Sequence, residues 1–187
     1  MSIASIAPAR TKGAEQTRQA ILEAARSIFS THGYRDAGVR EITAQAGVSI
    51  ALVNRYFGSK ERLFEEALSS TINPSPLLNV PRESYGEAIV ERLLGGGAVN
   101  NPLRMIVLAS ADPGSRAIAQ RVLTEHVYRP LAHWFGPEEG DLRAARMMIV
   151  AAGLTLYCQV YGLDVLVPAP APSLRAWLVN EFQSLVD

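Results

Sequence analysis

Residues 46–60 read AGVSIALVNRYFGSK, and several of their side chains have chemistry suited to an anionic, base-bearing polymer. Asn54 is of the type that bonds bidentately to adenine, and Arg55 of the type that bonds to guanine or to phosphate. Ser49 stands directly before an apolar-periodic run. There it can N-cap a helix and bring free N–H groups and a positive dipole end toward a phosphate or base edge. Ile50 and Ala51 offer apolar surface of the kind that meets a thymine methyl. Lys60 adds a cation near the end of the stretch, with Arg18 and Arg40 as weaker phosphate candidates elsewhere in the first third. Taken singly, exposed polar residues carry no meaning, and Tyr56 and Phe57 read as core; the set and its spacing carry the argument.

Such side chains need a scaffold. Apolar residues at Ile21, Ala25, Ile28 and Phe29 recur at helical spacing between Glu15 and Thr31, with Gly33 as a left-handed stop. A short helix follows at 38–45, then a turn at Ala46-Gly47-Val48, then a second helix from Ser49 to Phe57. Gly47 sits where that turn requires positive φ. Val39, Ile42, Ala46, Val48 and Val53 form the patch that holds the two helices at a steep angle, and Tyr56 and Phe57 fold back to lock them. Ser59 can cap a fourth helix opening at Lys60. The first dozen residues, with Pro8 and Gly13, read as a loose tail.

The stretch from Thr17 to Leu63 resembles the DNA-binding domain of the tetracycline-repressor (TetR) family: "ILEAA…F…HGY", "VREI" then "AGVS", and "YFGSKE" followed by Leu63 and Phe64, with unbroken spacing. That resemblance implies a groove-facing set of residues 49–52, 54 and 55 (Ser49, Ile50, Ala51, Leu52, Asn54 and Arg55), with Lys60 on a phosphate. The chain departs from the family pattern in four places. Ala37-Gly38 stand where Thr or Ser opens the second helix, and Thr43 replaces Ala. Leu52 replaces a Thr that can touch DNA, and Asn54 replaces an aromatic that leans on the backbone.

After the proline-rich segment 73–84 the rest of the chain reads as helices near 82–94, 102–111, 114–134, 138–161 and 173–186. Pro130 should kink or divide the third of these. The expected architecture is all-α: a tail at 1–14, a three-helix helix-turn-helix domain at 15–62, and a larger C-terminal bundle at 63–187 for ligand binding and dimerisation. The segment around Met147–Val160 is apolar on nearly every side, so one stripe needs cover from outside its own bundle. Ala151, Gly153, Leu174, Trp177, Leu178 and Phe182 are the expected dimer interface, in agreement with the four-helix interface that the resemblance implies. Met105, Trp134, Tyr157 and Tyr161 are the candidate pocket for an apolar effector. The resemblance implies an effector that shifts the spacing of two recognition helices on a palindromic double-stranded operator, and this requires differential affinity for the two states.

Net charge is zero over 187 residues, but residues 1–62 hold nine Lys/Arg against five Asp/Glu, and the remainder nine against thirteen. A basic first third beside an acidic remainder fits an anion-binding module joined to a part with another task. Enzyme chemistry finds no support. His32, His126 and His133 lack metal-ligand spacing, the GGG at 95–97 does not follow a strand, and no nucleophile motif is present. No cofactor or metal is expected. The single Cys158, and the lack of an apolar run long enough to span a bilayer, lead to the expectation of a cytoplasmic protein with no membrane partner. Alternatives are a DNA-binding regulator without an effector and, from another class, an all-α binding protein or enzyme.

Overall fold

The computed structural model describes residues 7–95, 102–167 and 169–187, and every regular element among them is helical. In chain order these are α1 (Ala7–Asp36), α2 (Val39–Ala46), α3 (Ile50–Phe57), α4 (Lys60–Thr71), the short α5 (Ser75–Leu78), α6 (Tyr85–Gly95), α7 (Pro102–Ala109), α8 (Pro113–Leu123), α9 (Arg129–Phe135), α10 (Gly140–Thr155) and α11 (Pro172–Gln183).

α1 begins earlier than the sequence suggests. Residues 7–14 are helical where a loose tail is expected, and residues 1–6 lie outside the described residues. Pro8 falls in the first turn, where no N–H is required, and one Gly costs a helix only about 1 kcal/mol, too little to stop it. At the far end the helix breaks at Gly33, which has φ 74°. The other notable departure is a π-helical turn at Thr124–Tyr128, between α8 and α9. Pro130 follows two positions after it and has no N–H to donate, so the widened turn is how one long helix absorbs it.

Two apolar cores result. The first joins α1 to α4 through Ile21, Phe29, Ile42, Val53, Phe57, Leu63 and Phe64, and continues into α7 and α8 through Met105, Ala109, Ile118 and Val122. The expected division at residue 62 therefore falls inside α4, which packs on α1 on one side and on α8 on the other. The second core is built from α6, α9, α10 and α11, around Tyr85, Ile89, Leu131, Met147, Leu178 and Phe182. Its tightest crossing is α6 on α11. A Cβ on Gly86 would run into the Val179 carbonyl oxygen, so the two backbones approach to a distance that excludes any side chain there. The Gly86 N–H donates to Gln183 Oε1 (3.0 Å), and Gln183 Nε2 donates in turn to the Arg82 carbonyl (2.8 Å).

Candidate nucleic-acid interface

The junction of α2 and α3 is fixed by backbone geometry. Gly47 takes φ 66°, ψ 32°, the left-handed conformation. Its N–H donates to Ala44 O (3.2 Å) and that of Val48 to Thr43 O (3.0 Å), the paired closure of a Schellman motif. Ile42 and Val53 are fully buried beneath the turn and hold the two helices together. Ser49 occupies the N-cap position in extended backbone (φ −83°, ψ 155°), but its hydroxyl makes no capping bond. The expected side-chain cap is thus replaced by backbone alone, the Leu52 N–H donating to Ser49 O (3.0 Å). Ser59 does cap α4, accepting from the Arg62 N–H at 3.3 Å.

Of the expected contact residues, Ser49, Ile50, Ala51, Asn54, Arg55 and Arg40 are exposed, while Val53 and Phe57 point inward. Leu52 is different. It is half-buried and packs on the first core, so its apolar side chain serves α3 from within rather than the face that α3 presents.

The two remaining cations are engaged inside the fold. Arg18 forms an ion pair with Glu66 of α4, and its guanidinium lies 5.4 Å from the centre of the Phe57 ring. Lys60 Nζ sits 4.6 Å over the Tyr34 ring and donates to the Arg35 carbonyl at 3.4 Å. A cation over an aromatic face and against the last carbonyls of a helix is favourable on both counts. Burial at this site pushes the Lys60 ammonium below its usual pKa, against the opposing pull of Glu61, Asp36 and Asp112. Both side chains clamp helices in this conformation, and the phosphate contacts expected of them would belong to the DNA-bound state. Arg62 is a cation that pattern reading missed. It is exposed and shares with Asn54 and Arg55 a polar hollow of about 510 Å³ between α3 and α4. The signal was seven-residue spacing from Arg55, but Gly58 breaks the helix between them, so helical periodicity could not relate the two.

In the C-terminal half the expected dimer residues divide. Leu178 (2% exposed) and Phe182 (0%) belong to the protomer's own core, a correction that follows from α11 using that face against α6. Leu174 and Ala151 are half-buried against the same core. Trp177 is 52% exposed, and Gly153 faces open space. Around them runs an exposed apolar row on α10 and beyond: Leu142, Ile149 (72% exposed), Tyr157, Val160 and Tyr161.

The four expected pocket residues do not meet around one cavity. Met105 is fully buried in the first core. Trp134 stacks on Tyr85 in the second, ring centres 5.0 Å apart. Tyr157 and Tyr161 are exposed and lie against each other, 5.8 Å between centres. Helical spacing gave their neighbourhood along the chain but not which core each faces. The apolar hollow that does form, about 350 Å³, is lined by Ile106, Ala119, Leu123, Tyr128 and Met148, with Ser110, Arg116, Gln120 and Thr124 as its polar members. Cys158 is half-buried, and burial raises its thiol pKa. No group of three His, Cys, Asp or Glu side chains suited to a metal occurs among the described residues, and no helix there is long and apolar enough to cross a membrane.

Residues 21–67 match the family described as bacterial regulatory proteins, tetR family, and residues 83–186 match the tetracyclin repressor-like C-terminal domain. The HTH-type transcriptional repressor AcnR of Corynebacterium efficiens is 38% identical over 73 residues, 35% of this chain and 39% of AcnR. The HTH-type transcriptional dual regulator CecR of Shigella flexneri is 46% identical over 57 residues, 30% of this chain and 25% of CecR. The chain thus aligns with well under half the length of these relatives. A TetR-family regulator from Streptomyces coelicolor shares the fold over 98% of this chain and 99% of its own, with a TM-score of 0.58 and 26% identity. The helix-turn-helix built on Gly47, the all-helical remainder and these matches lead to one conclusion: the chain belongs to the tetR family of bacterial regulatory proteins, a family of DNA-binding regulators and not of enzymes.

Proposed function

We propose that the protein is a cytoplasmic, homodimeric, sequence-specific transcriptional repressor that binds a palindromic double-stranded operator and is released by a small apolar effector. One observation carries the DNA part: α3 is pinned by a buried α2–α3 junction while Ser49, Ile50, Ala51, Asn54 and Arg55 stand exposed along it. The exposed apolar row on α10, with Trp177 on α11, supports a second copy as partner. Two recognition helices set about one duplex turn, ~34 Å, apart would then read the two half-sites. The hollow lined by Ile106, Leu123 and Met148 supports the effector, because it opens between α7, α8 and α10 while α8 also packs on α4. A ligand that alters α8 can thereby bias the placement of α3, provided it binds one state better than the other.

Replacing Arg55 with Ala tests the DNA reading. Binding to a duplex enriched from a random pool by the wild-type protein should fall roughly 10- to 100-fold, the range for a lost bidentate base contact, at unchanged dimer mass. Undiminished binding by Arg55→Ala sinks the assignment of α3.

A further inference from the structure

The first core hides its large apolar side chains with one exception. Among the described residues, the exposed large hydrophobics are Ile50 and a group from Leu142 onward. Ile50 is 40% exposed in the first turn of α3, far in sequence from that group, and its neighbour Ala51 is exposed as well. The inner face of α3 is already packed through Val53 and Phe57, so Ile50 is not needed to hold the helix. Two of the expected phosphate contacts, Arg18 and Lys60, are occupied within the fold. What α3 offers is thus divided: an apolar first turn at Ile50 and Ala51, and a polar last turn at Asn54 and Arg55.

Resting on the DNA-binding reading above, we infer that Ile50 and Ala51 read thymine C5-methyl groups, and that the operator half-site carries thymine at the position they meet. In the major groove the thymine methyl is the one bulky apolar group on the base-pair edges; the cytosine C5–H is far smaller, and the amino, carbonyl and N7 groups are donors or acceptors that an isoleucine would leave unpaired. The spacing of the half-site follows from the helix. Ile50 and Asn54, like Ala51 and Arg55, are four residues apart, roughly 6 Å of rise at about 1.5 Å per residue. Base pairs stack about 3.4 Å apart along each strand, so the thymine lies within roughly two base pairs of the adenine or guanine that Asn54 and Arg55 contact.

The test uses the full-length protein and a duplex it enriches from a random pool, with each thymine replaced in turn by deoxyuridine, which removes the methyl and keeps every hydrogen bond. One thymine per half-site should respond with about a fourfold loss of affinity, the size expected for uncovering one buried methyl group. In Ile50→Ala or Ala51→Gly that loss should shrink toward onefold, because the methyl has lost its partner. Replacing cytosine by 5-methylcytosine at that position of a weakened site should restore part of the affinity. If the duplex binds well and no deoxyuridine has an effect, methyl readout is overturned while DNA binding stands. A failure to enrich any duplex overturns the DNA reading itself, so the two failures are separate.

Discussion

α3 and the outer face of α10 are both left uncovered by their own protomer, but they are uncovered in different ways. On α3 the exposed residues alternate in character: a hydroxyl, one large apolar side chain, an amide and a guanidinium within seven positions. On α10 and the segment after it the large exposed side chains are mainly apolar, from Leu142 through Ile149 to Tyr157, Val160 and Tyr161, with Arg146 among them, and Trp177 is exposed on α11. A polar, directional ligand needs the first kind of face, since each base edge offers donors and acceptors at fixed places. A second protein surface needs the second kind, because burying contiguous apolar area is what drives stable association. Ile50 is informative because it is an apolar residue on the face of the other type.

The largest effect should come from charging the α10–α11 face. Each residue of a twofold interface appears twice, so Trp177→Asp removes two anchors of about 2 kcal/mol each and should weaken association about a thousandfold or more. Trp177 lies outside the protomer core, so the helical content should not change. Sedimentation should show monomers, and operator binding should collapse with the loss of the second half-site. A Trp177→Asp protein that still sediments as a dimer would mean the apolar row is not the contact between copies, and the contrast with α3 would then have to be drawn differently.

A finer comparison sets Arg40 against Arg18. Arg40 is exposed on α2, whereas Arg18 is paired with Glu66 and lies over Phe57. In a salt titration of operator binding, Arg40→Ala should reduce the slope of log affinity against log salt by about one, as loss of one phosphate contact does. Arg18→Ala should leave the slope unchanged and lower stability by at most about 1 kcal/mol, the ordinary value of a half-exposed ion pair. If Arg18→Ala lowers the slope as much as Arg40→Ala, the Glu66 pair opens on DNA, and the clamp is a resting arrangement only.

Arg18 and Arg40 also indicate how much the sequence could reveal. Helical spacing and turn residues sufficed for the all-helical class, the Gly47 turn, the Gly33 stop and the interruption at Pro130, because each depends on neighbours within a few residues. The exposed set on α3 was legible for the same reason: an eight-residue helix with Val53 and Phe57 inward has little choice about what faces out. Whether a cation is free was not legible. Glu66 is forty-eight positions from Arg18, and Tyr34 is twenty-six from Lys60. Only the packing of α1 on α4 brings those groups together. The pocket residues failed on the same ground, since Met105 is buried in the first core while Trp134, half-buried, packs on the second. Leu178 and Phe182 follow the expected stripe of α11, yet Gly86 allows α6 to lie so close that α6, not a second copy, covers them.

The smallest expected effect compares two tyrosines, one in each core. Tyr34 and Tyr85 are each pushed up to about 12 from 10.0, in both cases chiefly by burial, and Tyr34 additionally by donating its hydroxyl to Glu61. In the unfolded chain both phenols ionise near pH 10, so between about pH 10 and 12 the unfolded state sheds protons that the native state keeps. Stability gained from these groups is therefore intact below pH 10 and is lost as pH climbs toward 12. Around Tyr34 this loss is opposed. Lys60, whose pKa burial lowers, gives up its proton more readily when folded, but that contribution grows with pH only up to the ordinary lysine value of 10.5, so it offsets only the start of the range. At Tyr85 no such ammonium is at hand; its charged neighbour is Arg82, which draws the phenol pKa down without titrating there. Since the Lys60 contribution stays in either variant and both phenols are raised alike, Tyr85→Phe and Tyr34→Phe should flatten the fall in melting temperature between about pH 10 and 12 to a similar degree. At pH 7 the two variants should differ. Tyr34→Phe gives up the 2.8 Å hydrogen bond to Glu61, a cost of about 1 kcal/mol, whereas the Tyr85 hydroxyl meets only the weak acceptor sulfur of Met147 at 3.7 Å. Melting curves of the two variants at pH 7 and pH 11 would decide it, and equal responses at both pH values would mean that the two cores hold their phenols alike.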